Sequence, residues 1–187
     1  MADRPTGVLA APFPSPSSVV VANLDELRLA AALPPESEHE LRRLSTLPRP
    51  WDPPTCLDEL RCLIYVWLDE VVAWINEEHT WRTDHVIPMC WQEHPHIVHE
   101  LATIACLRWE AAYAVTPTAL EDWHRYALPT FLDRISQRIG TTGCPPGRHQ
   151  AHPGDARNAI YREGDEPNRR REHRWQDASD RRERGAP

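Results

Sequence analysis

Apolar residues recur at intervals of three and four along residues 56–78, and this pattern constrains the fold more than any other feature. They are Leu57, Leu60, Ile64, Trp67, Leu68, Val71 and Ile75. Such spacing places the side chains on one face of an α-helix. Thr55, with Asp58 three residues later, matches the pattern of a helix cap. We therefore predict a helix from Cys56 to Glu78 that must bury one face against partner helices.

Further helices are predicted after residue 94. Pro95 suits the first turn of a helix, because its missing N–H has no intrahelical partner there, and apolar residues at helical spacing follow as far as Val115. A third helix opens at Pro117, is interrupted at Pro129 and stops at Gly140. No convincing length of chain alternates apolar and polar residues like a strand. We therefore predict an all-α fold, a small bundle of three to four helices.

Composition divides the chain into four segments. Residues 1–22 are rich in Pro, Ser and Ala. Residues 23–50 carry two short helices that must dock on something, the first capped by Asn23 with Glu26 and the second by Ser37 with Glu40. Residues 51–144 contain seven of the eight tryptophans and form the helical core. Residues 145–187 have ten arginines, eight acids and almost no apolar residues. The first and last segments are predicted to be disordered, because they cannot bury enough apolar surface to offset the entropy of ordering.

Charge limits the partners of the core. Residues 51–144 carry 14 acidic residues against 6 arginines, so they would repel a phosphate backbone, and we expect no nucleic-acid partner for the core. The arginines of the tail are interleaved with acids, which leaves only weak contact with an anionic surface. All 21 basic residues are arginine, as expected of a gene with high GC content.

Cysteine use and hydropathy indicate the compartment. The five cysteines are odd in number and scattered, so we expect no disulfide framework. We expect a reducing environment instead. No apolar segment approaches the 18 or more residues of a membrane span. We therefore predict a cytoplasmic protein with no membrane partner.

The chemically densest stretch is residues 88–100. It places Cys90 and His94 four residues apart, and His124 and Cys144 follow at longer distances. Two thiolates and two imidazoles are the ligands that a tetrahedral zinc ion prefers, so these four residues form a candidate zinc site. His96, His99 and Glu100 are alternative ligands.

A structural interpretation of the same residues stays open beside the zinc site. In it, His94 caps the helix that starts at Pro95, Cys90 is a small apolar filler, and His124 lies at the seam of the bundle. No cofactor is then required.

Tryptophan is abundant, and a core of this size is not expected to bury every indole completely. We therefore expect some to anchor a contact with another protein or with a second copy of the chain. The interface candidates are Trp67, Trp74, Trp91, Trp109 and Trp123. The alternative is that they fill the core with their indole nitrogens bonded to loop carbonyls.

Three linked motifs extend from the cysteine and histidine stretch across the core. They are Pro88-x-Cys90-Trp91-x-x-His94-Pro95 with Val98 and Glu100-Leu101, Trp109-x-Ala111-Ala112-Tyr113, and Asp122-Trp123-His124 with Pro129. Across residues 51–139, about half of the chain, the pattern resembles a family of uncharacterised actinobacterial proteins, several carried on plasmids, phages or integrative elements. The resemblance implies a helical domain of unknown function from an actinobacterium or its mobile elements.

The predicted function is therefore a non-enzymatic one. The chain has no glycine-rich phosphate loop, no Gly-x-Ser-x-Gly elbow and no Cys-x-x-Cys pair. No catalytic residue is assigned. We expect a helical protein-interaction or accessory module. A zinc-stapled structural module is the first alternative, and a metal-dependent hydrolase is the second.

Overall fold

The structure is a computed structural model that describes residues 10–33, 35–139, 144–145 and 148–150. The chain divides into two compact units, Met1–Arg148 and His149–Pro187. The helices described below all belong to the first unit. The predicted tail beyond residue 150 and the predicted stop at Gly140 lie outside the described residues.

The first unit is all-α across its described residues, which confirms the predicted fold class. The α-helices are α1 (Ser18–Ala32), α2 (Glu38–Thr46), α3 (Asp58–Glu78), α4 (Pro95–Ala111), α5 (Thr118–Asp122) and α6 (Leu128–Ile139). Short 3₁₀ turns lie at Pro53–Thr55, Thr83–His85 and Trp91–Glu93, and a π-helical turn at Trp123–Ala127 joins α5 to α6. None of the described helices combines the length and apolarity that a membrane crossing needs.

The core forms around α3, which packs on α1 and α4, while α4 also packs on α6. Ile64, Leu68, Val71 and Ile75 of α3 are fully buried, as the apolar spacing predicts. The helix starts later than expected, at Asp58. Instead of capping it, the Thr55 hydroxyl donates to the Asp52 carbonyl at 2.8 Å.

Residues 10–17, which lie within the N-terminal segment predicted to be disordered, form a strap on α3. The indole of Trp67 donates to the Pro14 carbonyl at 3.0 Å, and that of Trp74 donates to the Ala11 carbonyl at 2.9 Å. The ring of Phe13 packs edge-on against both indoles. The strap is therefore held on α3 by hydrogen bonds from two α3 indoles to strap carbonyls and by the ring of Phe13.

The two short helices near the N-terminus differ in how well their starts were predicted. Ser37 caps α2 as expected, because its hydroxyl accepts from the Glu40 N–H at 3.1 Å. The Asn23 cap predicted from its spacing to Glu26 is wrong, since Asn23 lies inside α1, which begins at Ser18. Glu26 instead forms an ion pair with Arg43 of α2. That pair links the two helices.

The connection between α3 and α4 is held in place by side chains. The amide of Asn76 donates to the Ile87 carbonyl and accepts from the Ile87 N–H, each at 2.9 Å. Farther along, the indole of Trp91 donates to a carboxylate oxygen of Asp69 at 2.8 Å. The chain therefore enters the Trp91–Glu93 turn from a defined position.

The π-helical turn explains how the chain passes Pro129 without ending the helix. Pro129 has no N–H, and in an α-helix its ring would clash with the carbonyl four residues earlier, that of Arg125. The Leu128 N–H donates instead to the Trp123 carbonyl, five residues earlier. The wider turn relieves the clash. The predicted interruption at Pro129 is thus a change in helical pitch, and the helix continues to Ile139.

Candidate metal centre

Cys90 and His94 are brought together by one 3₁₀ turn. Cys90 precedes the turn and His94 follows it, with the Glu93 N–H donating to the Cys90 carbonyl at 2.9 Å. His94 also begins α4, and its carbonyl accepts from the N–H groups of Ile97 and Val98. The four-residue spacing therefore places a thiol and an imidazole side by side at a helix start.

Cys144 joins this pair from the segment that follows α6. The Nε2 atom of His94 lies 3.4 Å from the Sγ atom of Cys90 and 3.3 Å from that of Cys144. All three atoms lie within 4.8 Å of one another. Cys90 and Cys144 are partly exposed, whereas His94, at 3% exposure, is the most deeply buried polar residue among those described. These three residues form the candidate metal centre.

The separations suit one small soft cation. Zn–S bonds of about 2.3 Å and Zn–N bonds of about 2.0–2.1 Å at tetrahedral angles place sulfur and nitrogen roughly 3.6 Å apart. The two sulfur-to-nitrogen distances are within a few tenths of an ångström of that value. Thiolate and imidazole are also the donor types that zinc selects. The three residues therefore fit zinc in both chemistry and spacing.

The thiol of Cys90 is held in its protonated form when no cation is bound. Burial and then the neighbouring Cys144 thiol raise the pKa of Cys90 to about 11. Two adjacent thiolates without a cation would repel each other in a site of reduced hydration. A divalent cation supplies the opposite charge that lets both thiols ionise.

His124, the fourth ligand predicted from sequence, is not part of this group. Its ring lies 5.5 Å from the ring of His79 and 5.0 Å from that of Trp123, in an aromatic cluster beside α5. The predicted set is thus corrected to Cys90, His94 and Cys144, because the fold turns the π-helical segment toward α3 and α4 instead.

The alternative ligands have other contacts. His99 lies 3.6 Å from a carboxylate oxygen of Asp52, and Glu100 forms ion pairs with Arg134 and Arg138 of α6. The ring of His96 packs against that of His94, with centroids 5.8 Å apart. Glu100 thus joins α4 to α6, and none of the three belongs to the candidate metal centre.

Four of the five predicted interface tryptophans lie in the core, which corrects their assignment as surface anchors. Trp67, Trp74, Trp91 and Trp123 are 1–8% exposed. Each donates its indole N–H within the protein, Trp123 to the Ile104 carbonyl at 2.9 Å. Trp109 is partly buried and packs against Tyr113. Indoles whose faces and N–H groups are used internally cannot anchor a partner.

Comparison with known proteins finds no matching family model, no matching curated protein and no matching solved structure. The resemblance to the actinobacterial family stays a prediction. The functional argument therefore depends on the geometry of the candidate metal centre.

Proposed function

We propose that this protein is a zinc-stapled helical module in which Cys90, His94 and Cys144 bind a structural zinc ion. The observation that carries the proposal is the convergence of these three donor atoms within 4.8 Å. They come from two chain segments fifty residues apart. An ion bound there ties the segment after α6 to the start of α4.

A structural role and a hydrolytic one differ in the fourth position of the zinc ion, because a hydrolytic zinc keeps that position open to water and substrate. A closed site requires a fourth protein ligand.

The test is the zinc content of the full chain purified without added metal, measured by mass spectrometry. We expect one zinc ion per chain, and loss of that zinc in Cys90→Ser and Cys144→Ser. Cys62→Ser is the matched control, because Cys62 is exposed and lies outside the candidate metal centre, and it should keep the zinc.

Two results would overturn the proposal. One is a folded wild-type chain that holds no zinc as purified and takes up none from a zinc buffer. The other is a full zinc content in the Cys90→Ser, Cys144→Ser double variant. In either case the two thiols would be ordinary hydrogen-bonding partners of His94.

A second candidate function, protein interaction, is supported by exposed apolar residues on the connection between α3 and α4. Trp81 is 92% exposed and Met89 is 89% exposed, which leaves two large apolar side chains in water. Trp and Met are both enriched at the contacts between proteins, where a partner buries their large side chains. Sedimentation velocity of the wild type against a Trp81→Ser, Met89→Ser variant tests self-association: a concentration-dependent dimer lost in the variant supports it, and a monomer throughout contradicts self-association.

A further inference from the structure

A groove lined by the C-terminal half of α4 has the size of a ligand-binding site. Its volume is about 830 Å³, within the range of roughly 300–1,000 Å³ that small-molecule sites occupy. One wall is α4 from Thr103 to Ala111, and the other runs from α5 through the π-helical turn to Arg134 of α6. None of the residues of the candidate metal centre lines it, so it is a separate feature.

The groove exists because small residues and a wide helical turn leave space between the helices. Ala111, Ala119 and Ala127 line it, and no large side chain fills the gap in front of Trp123. Behind the groove the side chain of Trp123 is fixed, since its N–H is bonded to the Ile104 carbonyl and the residue is 2% exposed. The apolar surface that the groove offers to a ligand comes from the exposed side chains of Leu107 and Tyr126. π-helical turns are found frequently at functional sites.

The charged residues that line the groove differ in their pairing. Arg134 is paired with Glu100. Glu110 and Asp122 are exposed carboxylates, and no ion pair joins either of them to a basic group among the described residues. An apolar surface that carries two such carboxylates is complementary to a molecule with an apolar body and one cationic group.

We propose that this groove binds a small amphiphilic amine, with its apolar body against Leu107 and Tyr126 and its ammonium group at the carboxylates of Glu110 and Asp122. The exposed side chains of Leu107 and Tyr126 form an apolar rim. The inference is independent of the zinc proposal.

Calorimetric titration of the full chain with octylammonium and with octanoate tests the charge preference, because the two probes share a chain length and differ in sign. We expect octylammonium to bind with a dissociation constant below about 1 mM, and octanoate at least ten-fold more weakly. Equal binding of both probes, or no binding of octylammonium at that concentration, would overturn the proposal. A preference for octanoate would overturn it as well.

Three variants locate the site. Glu110→Gln and Asp122→Asn should each weaken octylammonium binding by about two- to five-fold, the range for a partly screened charge. Glu121→Gln is the matched control, because Glu121 is an exposed neighbour that does not line the groove, and it should bind like the wild type. Ala119→Trp should abolish binding by filling the groove from an exposed position. Unchanged binding in a folded Ala119→Trp protein, checked by circular dichroism, would place the probe elsewhere.

Discussion

The Nε2 atom of His94 lies 3.3 Å from the Sγ atom of Cys144, although fifty residues separate the two in sequence. A contact of this kind closes a long loop, and the entropy of closing it must be offset by what holds the ends together. A hydrogen bond to a partly exposed thiol contributes only about 1 kcal/mol. A zinc ion bound by both residues contributes several times more.

Removal of the metal is therefore expected to destabilise the protein. Chelation should lower the free energy of unfolding of the wild type by about 2–4 kcal/mol, the linkage expected when a ligand is lost from a site well above its dissociation constant. Chemical denaturation with and without chelator measures it. Without chelator, Cys144→Ser should already have the lower free energy of unfolding, and chelator should not lower it further. A chelator effect of equal size in Cys144→Ser would show that the metal binds elsewhere.

The amide of Asn76 is expected to support the metal centre from a distance. Asn76→Ala removes both bonds to Ile87 and leaves a partly buried N–H and carbonyl without partners, at a cost of about 2–3 kcal/mol. Denaturant unfolding measures this change. Competition with a zinc-binding dye should show weaker zinc binding as well, because Ile87 lies three residues before Cys90. Asn76→Asp keeps the acceptor and should lose less stability; equal loss in both variants would contradict the two-bond explanation.

The sequence predicts the helices whose apolar residues are periodic, and it predicts the candidate metal centre only in part. The spacing of α3 and the position of Pro95 define two central helices without reference to tertiary structure. Cys90 and His94 are recognisable because one turn joins them. Whether His124 and Cys144 also reach this pair depends on which loop ends lie together, and this is set by packing between distant helices. No spacing between residues that are close in sequence predicts this packing.

The N-terminal strap was missed for a related reason. Ala11 and Pro14 contribute backbone carbonyls, which any residue carries, so their partners Trp67 and Trp74 cannot be inferred from residue type. The sequence does not predict the π-helical turn, because Pro129 signals an interruption whether the helix ends there or widens. Whether the helix ends or widens depends on Trp123, which packing in the core holds in place.

Phe13 is expected to hold the strap on α3. Phe13→Ala should lower the free energy of unfolding by roughly 2 kcal/mol, below the usual cost for a core phenylalanine because the ring is only partly buried. Thermal or chemical unfolding measures it. Leu29→Ala, at a 60% exposed position of α1, should change stability by less than about 0.5 kcal/mol. Similar losses in the two variants would show that the strap makes no specific contribution.

His79 is expected to make the protein less stable in mild acid. Burial, and then the neighbouring His124, lower the pKa of His79 in the folded state. The unfolded chain takes up a proton near pH 6.5 while the folded chain resists it, so this stability is present above pH 6.5 and lost as the pH falls. The slope is at most about 1.4 kcal/mol per pH unit and is reduced by partial exposure.

Denaturant unfolding between pH 7.5 and pH 5 tests this behaviour. His79→Gln should lose less stability over that range than the wild type, and the exposed His39→Gln control should follow the wild type. A wild-type profile with the same slope as His79→Gln would mean that His79 makes no contribution to the acid sensitivity.

X-ray absorption spectroscopy of the zinc-loaded full chain tests the metal centre most directly. We predict a first shell with two sulfur atoms at about 2.3 Å and nitrogen at about 2.0–2.1 Å, with one sulfur lost in Cys144→Ser and none in Cys62→Ser. A wild-type shell made only of nitrogen and oxygen would contradict binding of zinc by Cys90 and Cys144.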